Sequence, residues 1–237
     1  MLKNEVMNET LEVMLNKNRK NITIEDLQQI KTIYFSKATQ DGEQVFPIEE
    51  VLLLPNISVL SIASSMITQE DIEVLSQLPK LRAINFTKCI LDENVDFSQL
   101  SSLENLSISR SFVNNFQILS TAKTLKSLEL FFPYNENDDD LNISDISSEE
   151  TLEMLTLEGC DISNPTSFSK FTKVKTLSLL STTVQHFDFV NHMNSLETIY
   201  VEPRYVQEQS LSKEGLKVET SKFNLAIDDK EGSKNLV

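Results

Sequence analysis

The sequence predicts an α/β solenoid, a right-handed coil whose parallel strands line a concave face. Short helical or 3-10 segments return along the convex side. Three observations predict it. An apolar ladder of the form L-x-x-L-x-x-L-x-L recurs along the chain, its copies often stand 22 residues apart, and helix-capping motifs fall between copies.

The copies run Leu54-x2-Ile57-x2-Leu60-x-Ile62, Leu78-x2-Leu81-x2-Ile84-x-Phe86 and Leu100-x2-Leu103-x2-Leu106-x-Ile108. They continue as Ala122-x2-Leu125-x2-Leu128-x-Leu130, Leu152-x2-Leu155-x-Leu157, Phe171-x2-Val174-x2-Leu177-x-Leu179 and Met193-x2-Leu196-x2-Ile199-x-Val201. A degenerate first copy, Leu27-x2-Ile30-x2-Ile33-x-Phe35, precedes them. The second ladder positions from Ile57 onward are separated by 24, 22, 22, 27, 22 and 22 residues. A period of about 20–29 residues with this pattern marks a leucine-rich repeat, one short strand per turn. About eight such turns are expected, with a shortened final strand at Gly215-Leu-Lys-Val218.

Each element has a local reason. Val6, Leu11, Met14 and Leu15 form a helical stripe in residues 5–20, suited to covering the open end of the first turn. Solenoid ends expose apolar edges and need such caps. Thr23-x-x-Asp26 and Thr68-x-x-Asp71 have capping-box spacing and start short helices on the return side. Asn164-Pro165 offers an N-cap followed by proline at the first helical position. Gln207 to Lys213 reads as a last helix, and the chain from about 224 onward is polar and frayed. The domain reading is an N-terminal helical cap over 1–22, repeats over 23–206 and a C-terminal cap with a polar tail over 207–237.

The 27-residue step holds an acidic insertion at about 133–148. Because it follows a strand, it is expected to leave from the concave rim. Asn137, Asp138, Asp139 and Asp140 invite a calcium reading, but an EF-hand loop needs alternating acids, a glycine at the sixth position and a glutamate at the twelfth. No window has that glycine. A solvated acidic loop is the better reading.

Composition narrows the function. The 237 residues carry a net charge of −15, which repels nucleic-acid phosphates and anionic lipid and favours a basic or neutral protein partner. Four glycines and no tryptophan leave no phosphate-cradling loop and no aromatic cage. The opening residues, MLKNEVMNETLEVMLNKNRKN, lack the apolar run of a secretory signal, and no stretch is long enough to span a membrane. Cytoplasmic residence and a monomeric state are the expectations.

Cys89 and Cys160 both fall three residues after the last ladder position, where other copies place Ser65, Ser111, Pro133, Thr182 and Arg204. They stand three strands apart, or roughly 14 Å at the usual strand spacing. That is beyond the ~7 Å between Cα atoms that a disulfide tolerates. Structural thiols are expected. His186 and His192, beside Asp188, are the only histidines, and no third metal ligand or nucleophile's base accompanies them. No catalytic residue, metal site or cofactor is expected.

CDISNPTSFSKFTKVKTLSLLSTTV and VDFSQLSSLENLSISRSFV resemble the 22-residue repeats of bacterial internalins and SDS22-like proteins. ITIEDLQQIKTIYF resembles the join between cap and first strand in internalin-like domains. The resemblance covers roughly residues 20–205. It implies a protein-binding module that uses its concave face. The chain departs from surface internalins in showing no leader, no wall anchor and no evident immunoglobulin-like domain after the repeats.

In such a strand the residues between ladder positions face outward. Repeats two to four then present small neutral side chains, while later ones present Glu129, Phe131, Met154, Glu158, Leu180 and Tyr200, with Phe132 and Tyr134 at the root of the insertion. An aromatic and aliphatic group ringed by acids reads as a partner site. The competing reading is that the insertion folds back over Phe131 and Phe132. The expected function is non-enzymatic binding of a protein partner, one concrete form being an immunity or inhibitor protein that masks a basic toxin or enzyme. The alternative is an internalin-like host-interaction effector exported without a classical leader.

Overall fold

The structure, a computed structural model, describes residues 5–36, 48–135, 139–208, 211 and 213–220. Nine strands form one parallel sheet in chain order: β1 Thr32–Ser36, β2 Val59–Ala63, β3 Ala83–Thr87, β4 Asn105–Ser109, β5 Ser127–Phe131, β6 Met154–Glu158, β7 Thr176–Ser178, β8 Thr198–Val201 and β9 Lys217–Thr220. Each strand pairs only with the turns before and after it, which is the topology the ladder predicts. The final strand lies two residues later than expected.

Register follows from burial. Leu60, Ile84, Leu106 and Leu128 stand side by side across successive strands, as do Leu155, Leu177 and Ile199 further on. Every one of these side chains is buried. Because side chains alternate between the faces of a strand, a one-residue slip would turn the whole ladder to solvent.

The return segments are mostly 3-10 helices. Phe97, Phe168 and Phe189 point from them into the core, and the rings of Phe168 and Phe189 meet at 4.5 Å. Both capping boxes form. Thr23 accepts from the Asp26 amide while the Asp26 carboxylate accepts from the Thr23 amide, and Thr68 and Asp71 repeat the exchange.

Asn164 differs from expectation. It adopts a left-handed conformation (φ 53°), so its side chain does not cap the helix that Pro165 begins. It donates instead to Ser144 Oγ of the preceding turn at 2.7 Å.

The first helix, α1, spans Glu5–Leu15 and buries Met7, Asn8 and Leu11. The predicted stripe is therefore rotated: Met14 is exposed, and Val6 and Leu15 are only partly buried. The last helix spans Pro203–Glu208, earlier than predicted, because Pro203 supplies a helix-ready φ directly after β8. Part of the predicted Gln207–Lys213 helix, and the tail from about 224, lie outside the described residues.

A second, narrower sheet was not foreseen. Met66–Ile67, Ile90–Leu91 and Phe112–Val113 form three parallel strands, and Tyr134 extends them by a bridge to Phe112. Leu141–Asn142 pairs separately with Ile162–Ser163. The insertion is the break between these two groups, so it bulges from the second sheet and not from the rim of the main one. Asn135 closes the bulge, its side chain accepting from the Asp139 amide at 2.8 Å and donating to the Asp139 carbonyl at 3.1 Å. Asn137 and Asp138 lie outside the described residues; Asp139 and Asp140 are exposed.

Leu128, fully buried in the middle strand, tests the register argument. Leu128→Ala should cost about 2–5 kcal/mol through lost transfer energy and a residual cavity. Urea unfolding measures it, and a loss near zero would mean the turns do not depend on continuous packing.

Candidate functional site

The open face of the main sheet is built from the residues between ladder positions. On β2 to β4 these are small or amide side chains, and Asn85 donates to Ser61 Oγ across the strands at 2.9 Å. On the later strands large groups appear. Ser127 stands beside Met154, Glu129 beside Thr156 and Phe131 beside Glu158, while Ser178 stands beside Tyr200. Met154 is 41% exposed; Phe131, Leu180 and Tyr200 are half-buried. Thr156 and Ser178, lying between them, are buried. Glu158 accepts from Ser178 Oγ at 3.0 Å, which holds its carboxylate over the sheet.

The structure thus brings together Glu129, Phe131, Met154, Glu158, Leu180 and Tyr200, and it separates the other two predicted residues. Phe132 occupies the left-handed turn after β5 (φ 49°), with its ring lying over Gly159 and 48% exposed. Tyr134 belongs to the second sheet, where its ring meets Phe112 edge-on at 5.6 Å.

A repeated left-handed turn closes the strands. Ser64, Lys88, Arg110, Phe132, Gly159 and Ser181 all have positive φ. The first five donate their amides to a carbonyl of the next turn, at Thr87, Ser109, Phe131, Glu158 and Leu180. Ser181 donates to the Glu202 carboxylate at 2.9 Å. Only one of the six is glycine, and that one is required. A Cβ on Gly159 would lie 2.2 Å from Phe132 Cδ1.

The other rim carries a charge ladder that sequence reasoning missed. The residue just before each strand is Arg82, Glu104, Lys126, Glu153, Lys175 and Glu197 for β3 to β8, strictly alternating in sign. Lys126 meets Glu104 at 3.1 Å, Lys175 meets Glu153 at 2.9 Å, and Arg82 lies 3.9 Å from Glu104. The Lys175 ammonium holds the Glu153 carboxyl below the usual carboxylate range. Exposed pairs add little stability each, but they neutralise this rim. The signal was available in sequence as one slot with the same period.

The cysteine slot is structural. Ser65, Ser111 and Thr182 each donate to the carbonyl two residues back, and the Cys89 and Cys160 thiols point at the matching carbonyls of Thr87 and Glu158. In the last turn Arg204 is exposed, and the neighbouring Tyr205 hydroxyl instead closes the edge of the preceding turn, donating to Thr182 O and accepting from the Val184 amide. Both cysteines are free and buried. Burial, with Asp161 and Glu158 nearby, pushes the Cys160 thiol from its ordinary 9.0 up to about 12. A raised folded pKa means the stability tied to this neutral thiol is fully present below about pH 9 and is lost as pH rises toward about 12.

His186 Nδ1 lies 3.6 Å from Asp188 Oδ2, inside ion-pair range and beyond a good hydrogen bond, while His192 is exposed. Among the described residues no three His, Cys, Asp or Glu side chains converge on one point. A cleft of about 380 Å³ beside the bulge is lined by Tyr134, Asn135, Asp139 and Asp161 among others.

Solved structures resemble this arrangement of strands. An internalin (inlF) from Listeria monocytogenes matches with a TM-score of 0.61 at 21% identity, covering 84% of this chain and 56% of that one. Internalin C2 from the same species matches with a TM-score of 0.61 at 16% identity, covering 93% and 94%. A leucine-rich repeat protein of Leptospira interrogans matches with a TM-score of 0.56 at 16% identity, covering 83% and 51%. The fold is the leucine-rich-repeat solenoid. No protein-family model and no curated protein matches the sequence. The chain spans about half the length of two of these three solenoids and nearly all of the third.

Two measurements check this geometry. Gly159→Ala should cost about 1–2 kcal/mol from the left-handed backbone alone, with a further loss that Phe132→Ala relieves; a purely additive double variant would contradict the contact. Both thiols should stay unreactive toward a disulfide reagent at about pH 8 until urea unfolds the protein. Fast reaction of either in the native state would contradict their burial.

Proposed function

We propose that this leucine-rich-repeat protein is a non-enzymatic binding module that holds a basic protein partner on the concave, open face of its main sheet. The observation that carries the reading is the group of Phe131, Met154, Leu180 and Tyr200 on β5 to β8 and the turns after them. It adjoins a stretch of small side chains and is accompanied by Glu129, Glu158 and Glu202. Between ladder positions β1 to β8 carry no lysine, arginine or histidine, and the cations nearest this face, Lys88 and Arg110, stand on the turns after β3 and β4 and not on the strands of the apolar group. With the opposite rim neutralised in pairs, the field over this group is set by carboxylates, which favours cationic partners and speeds their encounter. Apolar side chains half-covered by neighbours and ringed by charge are the usual anatomy of an energetic hot spot. An immunity or inhibitor protein masking a basic toxin or enzyme is one form of this reading, acting as a monomer in the cytoplasm.

Affinity capture followed by titration of the captured basic protein tests the proposal. Burying each large side chain in a partner contributes about 1.5–3 kcal/mol, so Phe131→Ala or Met154→Ala should weaken binding roughly tenfold or more. Ser61→Ala and Ser107→Ala should change little. Unchanged affinity together with a lowered melting temperature in Phe131→Ala would make the ring a packing group and reject the site.

A further inference from the structure

The outer face of the second sheet carries an apolar row that the proposed concave site does not use. Met66, Ile90, Phe112 and Tyr134 stand in register on four consecutive turns. Met66 is 58%, Ile90 46% and Tyr134 52% exposed, while the neighbours that alternate with them, Ile67, Leu91 and Val113, are fully buried. Past the bulge the row changes character, since the equivalent outward positions are Asp140 and Asp161. The row therefore ends at the bulge, and Met66 is its first member among the described residues.

Its flanks differ in charge. On the main-sheet side Lys88 and Arg110 occupy the left-handed turns two residues before Ile90 and Phe112. Both are exposed, and among the described residues neither side chain has an ion-pair or hydrogen-bond partner. The cations of the opposite rim, by contrast, are engaged with glutamates. On the far flank stand Thr68, Asp92 and Asn114, with the Asp92 carboxylate turned onto the Asn94 amide at 2.9 Å.

The spacing selects the occupant. Parallel strands stand about 4.8 Å apart, so the four side chains fall near 0, ~5, ~10 and ~14 Å. An α-helix rising 1.5 Å per residue places positions i, i+3, i+7 and i+10 at 0, ~4.5, ~10.5 and ~15 Å, all on one stripe. An amphipathic helix of roughly three turns thus matches the row position by position. Two unpaired cations along one edge require acids along the facing edge of that helix. The net charge of −15 opposes such a segment at a distance, but fields between exposed charges are screened beyond about 8 Å at physiological salt. Local pairing with Lys88 and Arg110 then decides the match.

We propose that the row Met66–Ile90–Phe112–Tyr134 docks an amphipathic helix of a partner protein, with acidic residues along the edge that faces Lys88 and Arg110. This surface is separate from the concave group and can hold or fail independently of it.

A set of 16-residue helical peptides tests the match, with leucines at i, i+3, i+7 and i+10 in all and either glutamates or lysines along one edge. Fluorescence polarisation against the full chain should show the glutamate set binding at least roughly tenfold tighter than the lysine set. Ile90→Glu should abolish binding and Lys88→Glu/Arg110→Glu should reverse the preference. Met154→Ala, on the concave face, should leave it unchanged, and since all the substituted side chains are exposed the melting temperature should hold. Equal binding of the two sets, binding that survives Ile90→Glu, or no binding of the glutamate set at ~1 mM would overturn the proposal. Sedimentation as a dimer that Ile90→Glu dissolves would assign the row to a second copy of the chain and overturn it equally.

Discussion

Each turn of this protein can bury its apolar side chains only against the turns on either side, and everything else in the structure depends on that constraint. A single strand with three or four ladder residues has nothing of its own to close over them. The solution is strict register, with Leu60, Ile84, Leu106 and Leu128 abreast and the hydrogen bonds of the parallel sheet running between the same positions. The two ends need separate closure. Met7 and Leu11 of the first helix and Tyr205 after the last full turn lie buried there.

Register also explains the details that repeat with it. A chain that must leave the strand, turn and re-enter a second sheet within a few residues uses a left-handed residue at the bend. Serine, lysine, arginine and phenylalanine accept that conformation because each amide gains a hydrogen bond to the next turn. Such a backbone ordinarily costs about 1–2 kcal/mol without glycine. The buried slot that follows shows the same economy. Serine, threonine and cysteine all place a donor at the carbonyl two residues back.

Constancy inside leaves freedom outside, and the surfaces divide accordingly. The open face of the main sheet is acidic and apolar in its later half, one rim is neutralised by alternating charges, and the second sheet presents an apolar row beside two exposed cations. These differences arise at positions that the packing does not restrict, so they are where a binding preference can be written without disturbing the coil. The insertion bounds one of these surfaces, ending the apolar row at Tyr134.

The ladder period by itself determined the parallel sheet and which of its residues face the core, because burial by neighbours forces one register and one residue per slot. Capping boxes, cysteine burial and the shared face of Glu129, Phe131, Met154, Glu158, Leu180 and Tyr200 were legible for the same reason. Tertiary structure decided what lies beyond a strand's end. The left-handed turn rotates Phe132 off the sheet, and pairing with Phe112 draws Tyr134 and the insertion to the second sheet. The rotation of the first helix, the early start of the last one and the side-chain direction of Asn164 were decided the same way. None of these carries a period in sequence; each is fixed by which neighbouring turn offers a contact or a hydrogen-bond partner.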